Sequence, residues 1–337
     1  MTITRLSIPS MLLAALMASV VACASDEETG EEGYTVSIGP INTPPGEENI
    51  KCVVVSAGNA ERIGINRIES ETSTVSIHHF GFYKVYGMEE QLEPFDCTPF
   101  SSRLDPAVSI ATWVTQRTQD SLQLPPQVGF EFEPDQKLML EIHYLNAGDQ
   151  TVAAEGKLRF YPTVEADFEP ASLLFVTNPY VAVPGNSTVE TTPAYFTMPE
   201  GTRDANFQYN FFTGHTHHLG TGFKLEAADA RDATGTMIAQ YDEGEWSWEE
   251  PEFTVLDQPL QMSGSAGLRY SCAYRNPTSQ LVGFGPSAED EMCAFWTYYW
   301  PYEPGDPSAC LADPNAVSCC PGDPSTCDAL AAAHMNL

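Results

Sequence analysis

Six of the seven histidines in this chain fall into three short clusters. The clusters are the pair His78-His79, the single His143, and the run His215-Thr216-His217-His218. Neutral imidazole nitrogen is the commonest transition-metal ligand in proteins, so histidines grouped in this way indicate a metal centre. A hydrogen-bonded structural imidazole is the alternative for any one of them taken singly, but the grouping favours the metal.

The spacing of the histidines predicts two sets of ligands. On a β-strand alternate residues share a face, so His215 and His217 point the same way and can chelate one ion, whereas His218 points away. Adjacent His78 and His79 diverge on a regular strand, and they need a β-bulge or a strand end to converge. His143, on another predicted strand, can complete the set that they begin.

The elements that must hold these ligands have the pattern of short β-strands. Residues 74–77, 137–144 and 157–161 alternate along the chain and are rich in β-branched or aromatic side chains. Turns rich in Gly, Pro, Asn and Asp separate them, and no long segment outside the N-terminus repeats apolar residues at helical spacing. The pattern predicts an all-β protein of sandwich or jelly-roll type, with a boundary between two similar halves near residues 165–170.

The N-terminus predicts export. Residues 1–22 contain Arg5 and an apolar stretch that is typical of a secretion signal and is short for a membrane span. They end in Val20-Val21-Ala22-Cys23, which resembles the bacterial lipoprotein cleavage box, where the cysteine becomes the lipidated first residue. An ordinary signal peptide cut near Ala22 or Ala24 is the alternative. Residues 23–46 are acidic and indicate a flexible tether, so we expect a protein that is lipid-anchored to the bacterial cell envelope or secreted.

Export would place the cysteines in an oxidising compartment. Nine cysteines without Cys23 leave eight, and an even number favours a disulfide framework. Four of them, Cys52, Cys97, Cys272 and Cys293, are distributed over the two halves. The other four, Cys310, Cys319, Cys320 and Cys327, crowd into a Pro- and Asp-rich tail at residues 305–337, where metal binding is the alternative to disulfides.

The donor set favours copper over zinc. Zinc sites commonly add cysteine or carboxylate to histidine, and the cysteines of this chain are expected to be oxidised. Met292, beside Cys293, offers a thioether sulfur, which is a soft ligand that selects copper, particularly Cu(I). A methionine of the hydrophobic core is the alternative for Met292.

Taken together, these residues resemble the copper type II, ascorbate-dependent monooxygenases, which include the peptidylglycine α-hydroxylating and dopamine β-monooxygenases. The resemblance runs in the family's order from about Cys52 to Pro301, and the spacing of Cys52 and Cys97 around the histidine pair also fits. Its motifs are His78-His79, Leu140-Glu141-Ile142-His143-Tyr144, His215-Thr216-His217-His218-Leu219-Gly220 and Asp290-Glu291-Met292-Cys293. It implies two tandem jelly-roll β-sandwich domains, at residues 47–167 and 168–304, that face each other across a solvent-filled cleft and precede the Cys-rich tail.

The resemblance further implies two unlike copper sites, one on each domain. By position, the electron-transfer copper is held by His78, His79 and His143. The oxygen-binding copper, where catalysis takes place, is held by His215, His217 and Met292. The implied activity is the hydroxylation of an activated C–H bond in a small organic substrate by O2, with ascorbate or another reductant as the electron donor.

Three positions depart from the peptide-amidating branch of the family. That branch holds the substrate's carboxylate with a basic residue two positions before the His-Thr-His run and with an Asn and a Tyr shortly after the methionine. This chain has Thr213, Ala294 and Trp296 at those positions. A glycine-extended peptide is therefore not expected, and Trp296 indicates an aromatic-lined substrate pocket, with a packed core tryptophan as the alternative.

The net charge of −31 argues against nucleic acid as a partner, because phosphates demand Lys and Arg. We expect a monomer that meets a small-molecule substrate, O2 and an electron donor, and that contacts the membrane only through a lipid anchor. The alternative function is a copper-binding or copper-delivery lipoprotein without catalysis, but two unlike sites favour the enzyme. A zinc hydrolase with Glu141 as its base is a more distant alternative.

The lipid anchor can be tested at Cys23. Replacement by serine removes the thiol that would carry the lipid, so Cys23→Ser should move the protein from the membrane fraction to the soluble fraction. Immunoblotting of fractionated cells measures this change. A variant that stays with the membranes as the parent protein does would contradict the anchor.

Overall fold

The computed structural model describes residues 33–73, 77–97, 109–198, 206–262, 266–285, 287, 289–304, 306–307, 309–312 and 317–320. Over these residues the protein is all-β, with no helix, as the sequence predicts. Consequently no helix in the described part is long and apolar enough to span a membrane. The predicted signal peptide at residues 1–22, the lipidation site Cys23 and the tail residue Cys327 lie outside the described residues.

The first half of the described chain contributes ten strands. They are β1 (Tyr34–Thr43), β2 (Glu48–Ser56), β3 (Ile63–Thr72), β4 (Ile77–Val85), β5 (Gln91–Asp96), β6 (Ser109–Thr115), β7 (Gln119–Gln123), β8 (Val128–Phe132), β9 (Lys137–Leu145) and β10 (Val152–Pro162). The strands predicted at residues 137–144 and 157–161 lie within β9 and β10. Of the strand predicted at residues 74–77, only Ile77 is described, and it begins β4.

Strand β1 corrects the predicted tether. Residues 23–46 were expected to be flexible, but Tyr34–Thr43 pairs antiparallel with β10. Val36 and Ile38 alternate with polar residues and are buried, which gives this strand one face toward the core. The prediction is therefore wrong for residues 34–43, because this alternation outweighs the acidic composition of the segment.

The second half contributes thirteen strands in the described residues. They are β11 (Glu169–Thr177), β12 (Ala182–Val183), β13 (Ser187–Glu190), β14 (Ala194–Phe196), β15 (Phe207–His215), β16 (Gly220–Ala228), β17 (Thr236–Tyr241), β18 (Phe253–Met262), β19 (Gly267–Asn276), β20 (Val282–Gly283), β21 (Ala294–Trp300), β22 (Ala309–Ala312) and β23 (Val317–Cys320). The last two belong to the predicted tail. They join the main sheet because β22 pairs with β11.

The described strands form one large sheet and two five-stranded sheets, together with the short pair β12-β20. The large sheet has eleven strands with the principal order β1-β10-β3-β8-β11-β21-β15-β18, and the smaller sheets are ordered β5-β2-β9-β4-β6 and β13-β19-β16-β17, with β14 on β19. Parallel pairing of β8 with β11 joins the two halves of the large sheet. The boundary at residues 167 and 168 and the jelly-roll topology stay predictions, and strands from both sides of that boundary lie in the same sheet.

Strand β21 lies in the middle of the large sheet and is buried on both faces. All seven of its residues, Ala-Phe-Trp-Thr-Tyr-Tyr-Trp, are buried. Ala294, Trp296, Tyr298 and Trp300 join the core that continues into the first half of the chain. Phe295 and Tyr299, on the other face, join the core of the second half. A run of apolar and aromatic residues with a single threonine fits a strand that is covered on both sides.

Disulfide bonds fasten each half. Cys52 bonds Cys97 and Cys272 bonds Cys293, which confirms the framework role of these four cysteines. The second bond ties strand β19 to the residue that directly precedes β21. Cys310 in the tail is also disulfide-bonded and fully buried, so the tail is oxidised at this residue.

Gly156 on β10 allows the two layers of the first half to approach at Phe80, the residue after His79. A Cβ atom at this position would lie 2.6 Å from the Phe80 ring. Because a packed core does not absorb such an overlap, Gly156→Ala should lower the free energy of unfolding by about 1–3 kcal/mol, measured by urea denaturation. Gly283→Ala is the matched control, since a Cβ there meets nothing within 4 Å. Equal stability of the two variants would contradict the prediction.

Candidate metal centre

Five histidines converge where the two halves of the chain meet. The ligand nitrogens of His78, His79 and His143 lie within 4.8 Å of one another, and so do those of His78, His215 and His217. The structure therefore brings together all five histidines that the sequence proposed as ligands. It places them in one contiguous cluster, in which the His78 ring centroid is 5.2 Å from that of His217 and 4.7 Å from that of His143.

A β-bulge positions the first histidines. Ile77 pairs with Tyr144 and His79 pairs with His143, so the register between β4 and β9 shifts at His78. The extra residue lets neighbouring side chains turn toward the same region, as the sequence required for convergence. This prediction is confirmed.

The second pair of histidines is held by a turn as well as by a strand. Strand β15 ends at His215, and His217 lies in the turn that follows. The amide of His217 donates to Glu291 Oε2 at 2.9 Å, and the amide of Leu219 donates to Glu291 Oε1 at 2.7 Å. The strand ends before His217, so strand alternation does not set the position of this residue, and Glu291 fixes its backbone instead. His218 is exposed, in agreement with its predicted role as a bystander.

In the first half, carboxylates fix which nitrogen each ring offers. His79 Nε2 lies 2.8 Å from Glu141 Oε1, and His143 Nε2 lies 2.9 Å from Glu48 Oε1. An ionised carboxylate only accepts, so each Nε2 carries the proton and each Nδ1 keeps a lone pair. Carboxylate partners of this kind are typical of histidines that bind metals.

In the second half, neutral oxygen atoms accept a hydrogen bond from Nδ1 of each histidine and so leave Nε2 for a metal. His215 Nδ1 donates to the side-chain oxygen of Gln116 at 3.0 Å, and His217 Nδ1 donates to the carbonyl of Asp290 at 3.0 Å. The amide group of Gln116 donates in turn to the carbonyl of Trp248, which leaves its oxygen to accept. His215 and His217 therefore present Nε2, and His217 Nε2 is buried without a hydrogen-bond partner among the described residues.

The cluster is electrostatically prepared for a cation. Burial lowers the pKa of His78 and of His215 well below the usual range, and the neighbouring imidazoles act in the same direction. Burial likewise lowers the pKa of His143, although Glu48 opposes it, and lowers the pKa of His217 to about 4. These rings are neutral at physiological pH, which is the state that binds transition metals.

The donors fit copper. Nitrogen ligands with the second nitrogen of the ring hydrogen-bonded suit copper, and no carboxylate belongs to either histidine group in the described residues. A third group, formed by Cys52, Cys97 and Glu141, does not offer thiolates, because its cysteines are bonded to each other. This leaves the histidines as the metal-binding set.

Met292 lies on the segment that anchors the second pair of histidines. It directly follows Glu291, it is buried, and its carbonyl accepts a hydrogen bond from the Tyr274 hydroxyl at 2.6 Å. Burial raises the pKa of Glu291 to about 7, while the amides of Leu219 and His217 pull in the opposite direction. The buried Glu291 side chain thus fastens the methionine segment to the turn that carries His217.

The three proposed substrate residues are neighbours on adjacent strands. Thr213 pairs with Trp296, and His215 pairs with Ala294. All three are buried, and the Trp296 ring lies 5.7 Å from that of His215 and stacks on Phe175. Trp296 Nε1 has no hydrogen-bond partner in the described residues. Contact with substrate stays a prediction for these residues.

Residues 173–318 match the family model of the copper type II ascorbate-dependent monooxygenase, C-terminal domain. This match supports the predicted family over the second half of the chain. The matched segment contains His215, His217 and Met292 and extends to the second tail strand. The first three histidines precede it, and they are connected to it through the shared cluster.

Other comparisons are distant. No curated protein matches the chain. Among solved structures, the major capsid protein P2 of bacteriophage PM2 is 9% identical with a TM-score of 0.33, covering 81% of this chain and 99% of that chain. The Sulfolobus Turreted Icosahedral Virus structure is 13% identical with a TM-score of 0.25, covering 81% of this chain and 61% of that chain. Likenesses this low bear on neither the fold nor the function.

Several residues that shape the histidine cluster carried little sequence signal. Glu141 shares a strand with His143 at a spacing of two, so its position on the same face was detectable. Glu48 and Gln116 reach His143 and His215 from positions about a hundred residues away in the sequence. No local pattern marks such contacts, because the fold alone creates them.

Glu141 provides a test of the ligand geometry. Glu141→Ala removes the acceptor that holds His79 Nε2, and loss of such a partner lowers metal affinity by about 10–100-fold. Copper affinity is measured by competition with a chelator, with Glu155→Ala on strand β10 as the exposed control. A variant that binds copper as tightly as the parent protein would show that Glu141 does not orient the ligand.

Proposed function

We propose that this protein is a copper-dependent monooxygenase that hydroxylates an activated C–H bond of a small organic substrate, using O2 and an external reductant. The family match supports copper and oxygen chemistry in the second half of the chain. The observation that carries the proposal to the whole chain is the convergence of five buried histidines from both halves.

The proposed division of labour follows the ligand sets. His79 and His143 bind through Nδ1, with His78 beside them, and serve electron transfer. His215 and His217 bind through Nε2, and Met292 adds a thioether that favours the reduced ion. Copper supplies the redox and oxygen-activating chemistry when it is bound at these residues.

The chain's own residues orient the ligands and exclude water. Glu48, Glu141 and Gln116 fix the rings, and Glu291 fixes the turn before Met292. Trp296 and Phe175 cover the His215 side of the centre with aromatic surface. Exclusion of water by such surfaces protects reactive intermediates from side reactions.

The substrate that we propose is small and uncharged. Thr213, Ala294 and Trp296 carry no formal charge, and the Thr213 hydroxyl already donates to the carbonyl of Glu252 at 3.1 Å. None of these residues offers a positive charge that would hold a carboxylate. An aromatic wall beside the ligands favours an apolar substrate instead.

The proposed setting is the cell exterior. Two disulfide bonds support an oxidising compartment, in which the protein would be lipid-anchored or secreted. We propose that it acts as a monomer with two copper ions, and that ascorbate or another external reductant supplies the electrons.

Met292 tests the enzymatic function. Met292→Ile removes the thioether but keeps an apolar side chain of similar size, so turnover should fall to background while copper remains at His78, His79 and His143. Oxygen uptake with ascorbate and a panel of apolar substrates measures turnover, and mass spectrometry measures bound copper. Met262→Ile on β18 is the matched control and should keep full activity.

The same assay separates the enzyme from its rival. Copper-loaded parent protein that binds the metal but consumes no oxygen with any reductant and substrate would favour a copper-binding or copper-delivery lipoprotein. Unchanged turnover in Met292→Ile would instead contradict the role of the methionine.

A further inference from the structure

Thr216 lies between His215 and His217, the second pair of histidines in the cluster, and its relative exposure to solvent is 0%. The indole Nε1 of Trp246 donates a hydrogen bond to Thr216 Oγ1 at 2.9 Å. A buried hydroxyl that loses its partner costs free energy, so this bond holds the threonine side chain in one orientation. Through the threonine it also holds the backbone that joins the two histidines.

The turn that contains Thr216 is tight. The amide of Gly220 donates to the carbonyl of His217 at 3.0 Å, and a Cβ atom at Gly220 would overlap Thr216 Oγ1. The threonine hydroxyl therefore packs directly against the glycine backbone. Because a rotation of Thr216 would have to move this backbone, the orientation of the hydroxyl and the shape of the turn depend on each other.

Trp246 is held by aromatic packing on strands β16 and β17. Its ring centroid lies 5.6 Å from that of Phe223 and 6.1 Å from that of Tyr241. Tyr241 is fixed in turn, since its hydroxyl lies 3.0 Å from Oγ1 of Thr254. The Phe223 ring packs against Gly214, where a Cβ atom would lie 2.5 Å from it. The indole N–H thus projects from a packed aromatic stack.

The segment that carries this indole also supports the ring of His215. The carbonyl of Trp248 accepts a hydrogen bond from Nε2 of Gln116 at 3.3 Å, and Oε1 of Gln116 accepts one from Nδ1 of His215 at 3.0 Å. Residues 246–248 therefore contact the turn between the two histidines and the residue that orients the first of them.

We propose that Trp246 is a positioning residue, which sets the separation of His215 and His217 by fixing Thr216 between them, so that both Nε2 atoms can bind one copper ion. The role rests on the proposed copper centre. Without the indole N–H the Thr216 hydroxyl loses its donor and the turn relaxes. Copper at the second pair of histidines is then bound less tightly, whereas the ligands on β4 and β9 do not depend on this turn.

Two single-site backgrounds separate the ligand groups. His143→Ala removes a ligand of the first group, and His217→Ala removes a ligand of the second. Copper affinity is measured by competition with a chelator, and copper geometry by EPR of the Cu(II)-loaded chain. In the His143→Ala background, Trp246→Phe should lower copper affinity by about 10-fold and change the copper hyperfine splitting, as expected for a residue that supports metal ligands. In the His217→Ala background, it should change neither.

Tyr241→Phe is the matched control. It removes a hydroxyl from the same aromatic stack but keeps the donor to Thr216, so it should leave the copper affinity and the EPR signal unchanged in both backgrounds. Circular dichroism checks that the variants are folded. The proposal would be overturned if Trp246→Phe bound copper as tightly as its background, or if Tyr241→Phe weakened binding equally.

Thr216→Val tests the same hydrogen bond from the acceptor side. It keeps the branched shape but removes the hydroxyl, so its effect on copper should equal that of Trp246→Phe, and the double variant should lose no more than either. Additive losses would show that the two residues act independently and would overturn the proposal. If Trp246→Phe does not fold, Thr216→Val decides, since unchanged copper binding would then overturn it.

These measurements are independent of catalysis. Weakened copper binding in Trp246→Phe, in a protein that takes up no oxygen, would leave the positioning role standing and contradict the monooxygenase proposal. Oxygen uptake by the parent protein, with unchanged copper binding in Trp246→Phe, would do the reverse.

Discussion

Each imidazole of the centre can offer a metal only the nitrogen that is not already donating a hydrogen bond, and this constraint governs the whole site. Glu141 and Glu48 accept hydrogen bonds from Nε2 of His79 and His143. Gln116 and the Asp290 carbonyl accept hydrogen bonds from Nδ1 of His215 and His217. His79 and His143 therefore present Nδ1 to the cluster, whereas His215 and His217 present Nε2. Burial lowers the pKa of His78, His143, His215 and His217, so these four imidazoles are neutral and share a small volume without mutual repulsion.

The shared sheet sets the distance between the two groups. Strand β8 pairs with β11, and β21 lies beside β11 with one face in each core, so the halves form a continuous packed body at this point. Gln116 crosses from the first half to bond His215 of the second. The sequence resemblance implied a solvent-filled cleft between the copper sites, whereas in this structure the rings of His78 and His217 are neighbours. Close packing of the two halves accounts for the difference.

The sequence predicted the grouping of the histidines better than it predicted the residues that support them. Local patterns in the sequence indicated the grouping of the histidines, the strand alternation and the need for a bulge at His78. Such patterns can be read without the tertiary structure, because they depend only on residues close together in the chain. The position of His217 in a turn depends on Glu291, and the orientation of His143 depends on Glu48, so both required the tertiary structure. Strand β1 was misjudged because acidic composition was weighed above the alternation of Val36 and Ile38.

The hydrogen-bond partners of the two histidine groups also differ in charge, and this difference would affect which oxidation state of copper each group favours. Carboxylates hold His79 and His143, and a carboxylate makes its imidazole a more basic ligand, which stabilises the more highly charged copper ion. Neutral oxygens hold His215 and His217, and the carboxylate of Glu291 bonds backbone amides rather than their rings. With the thioether that we propose from Met292, the second site would favour Cu(I). In the proposed enzyme, an electron on the first ion would therefore be drawn toward the second, which is the direction that the proposed reaction requires.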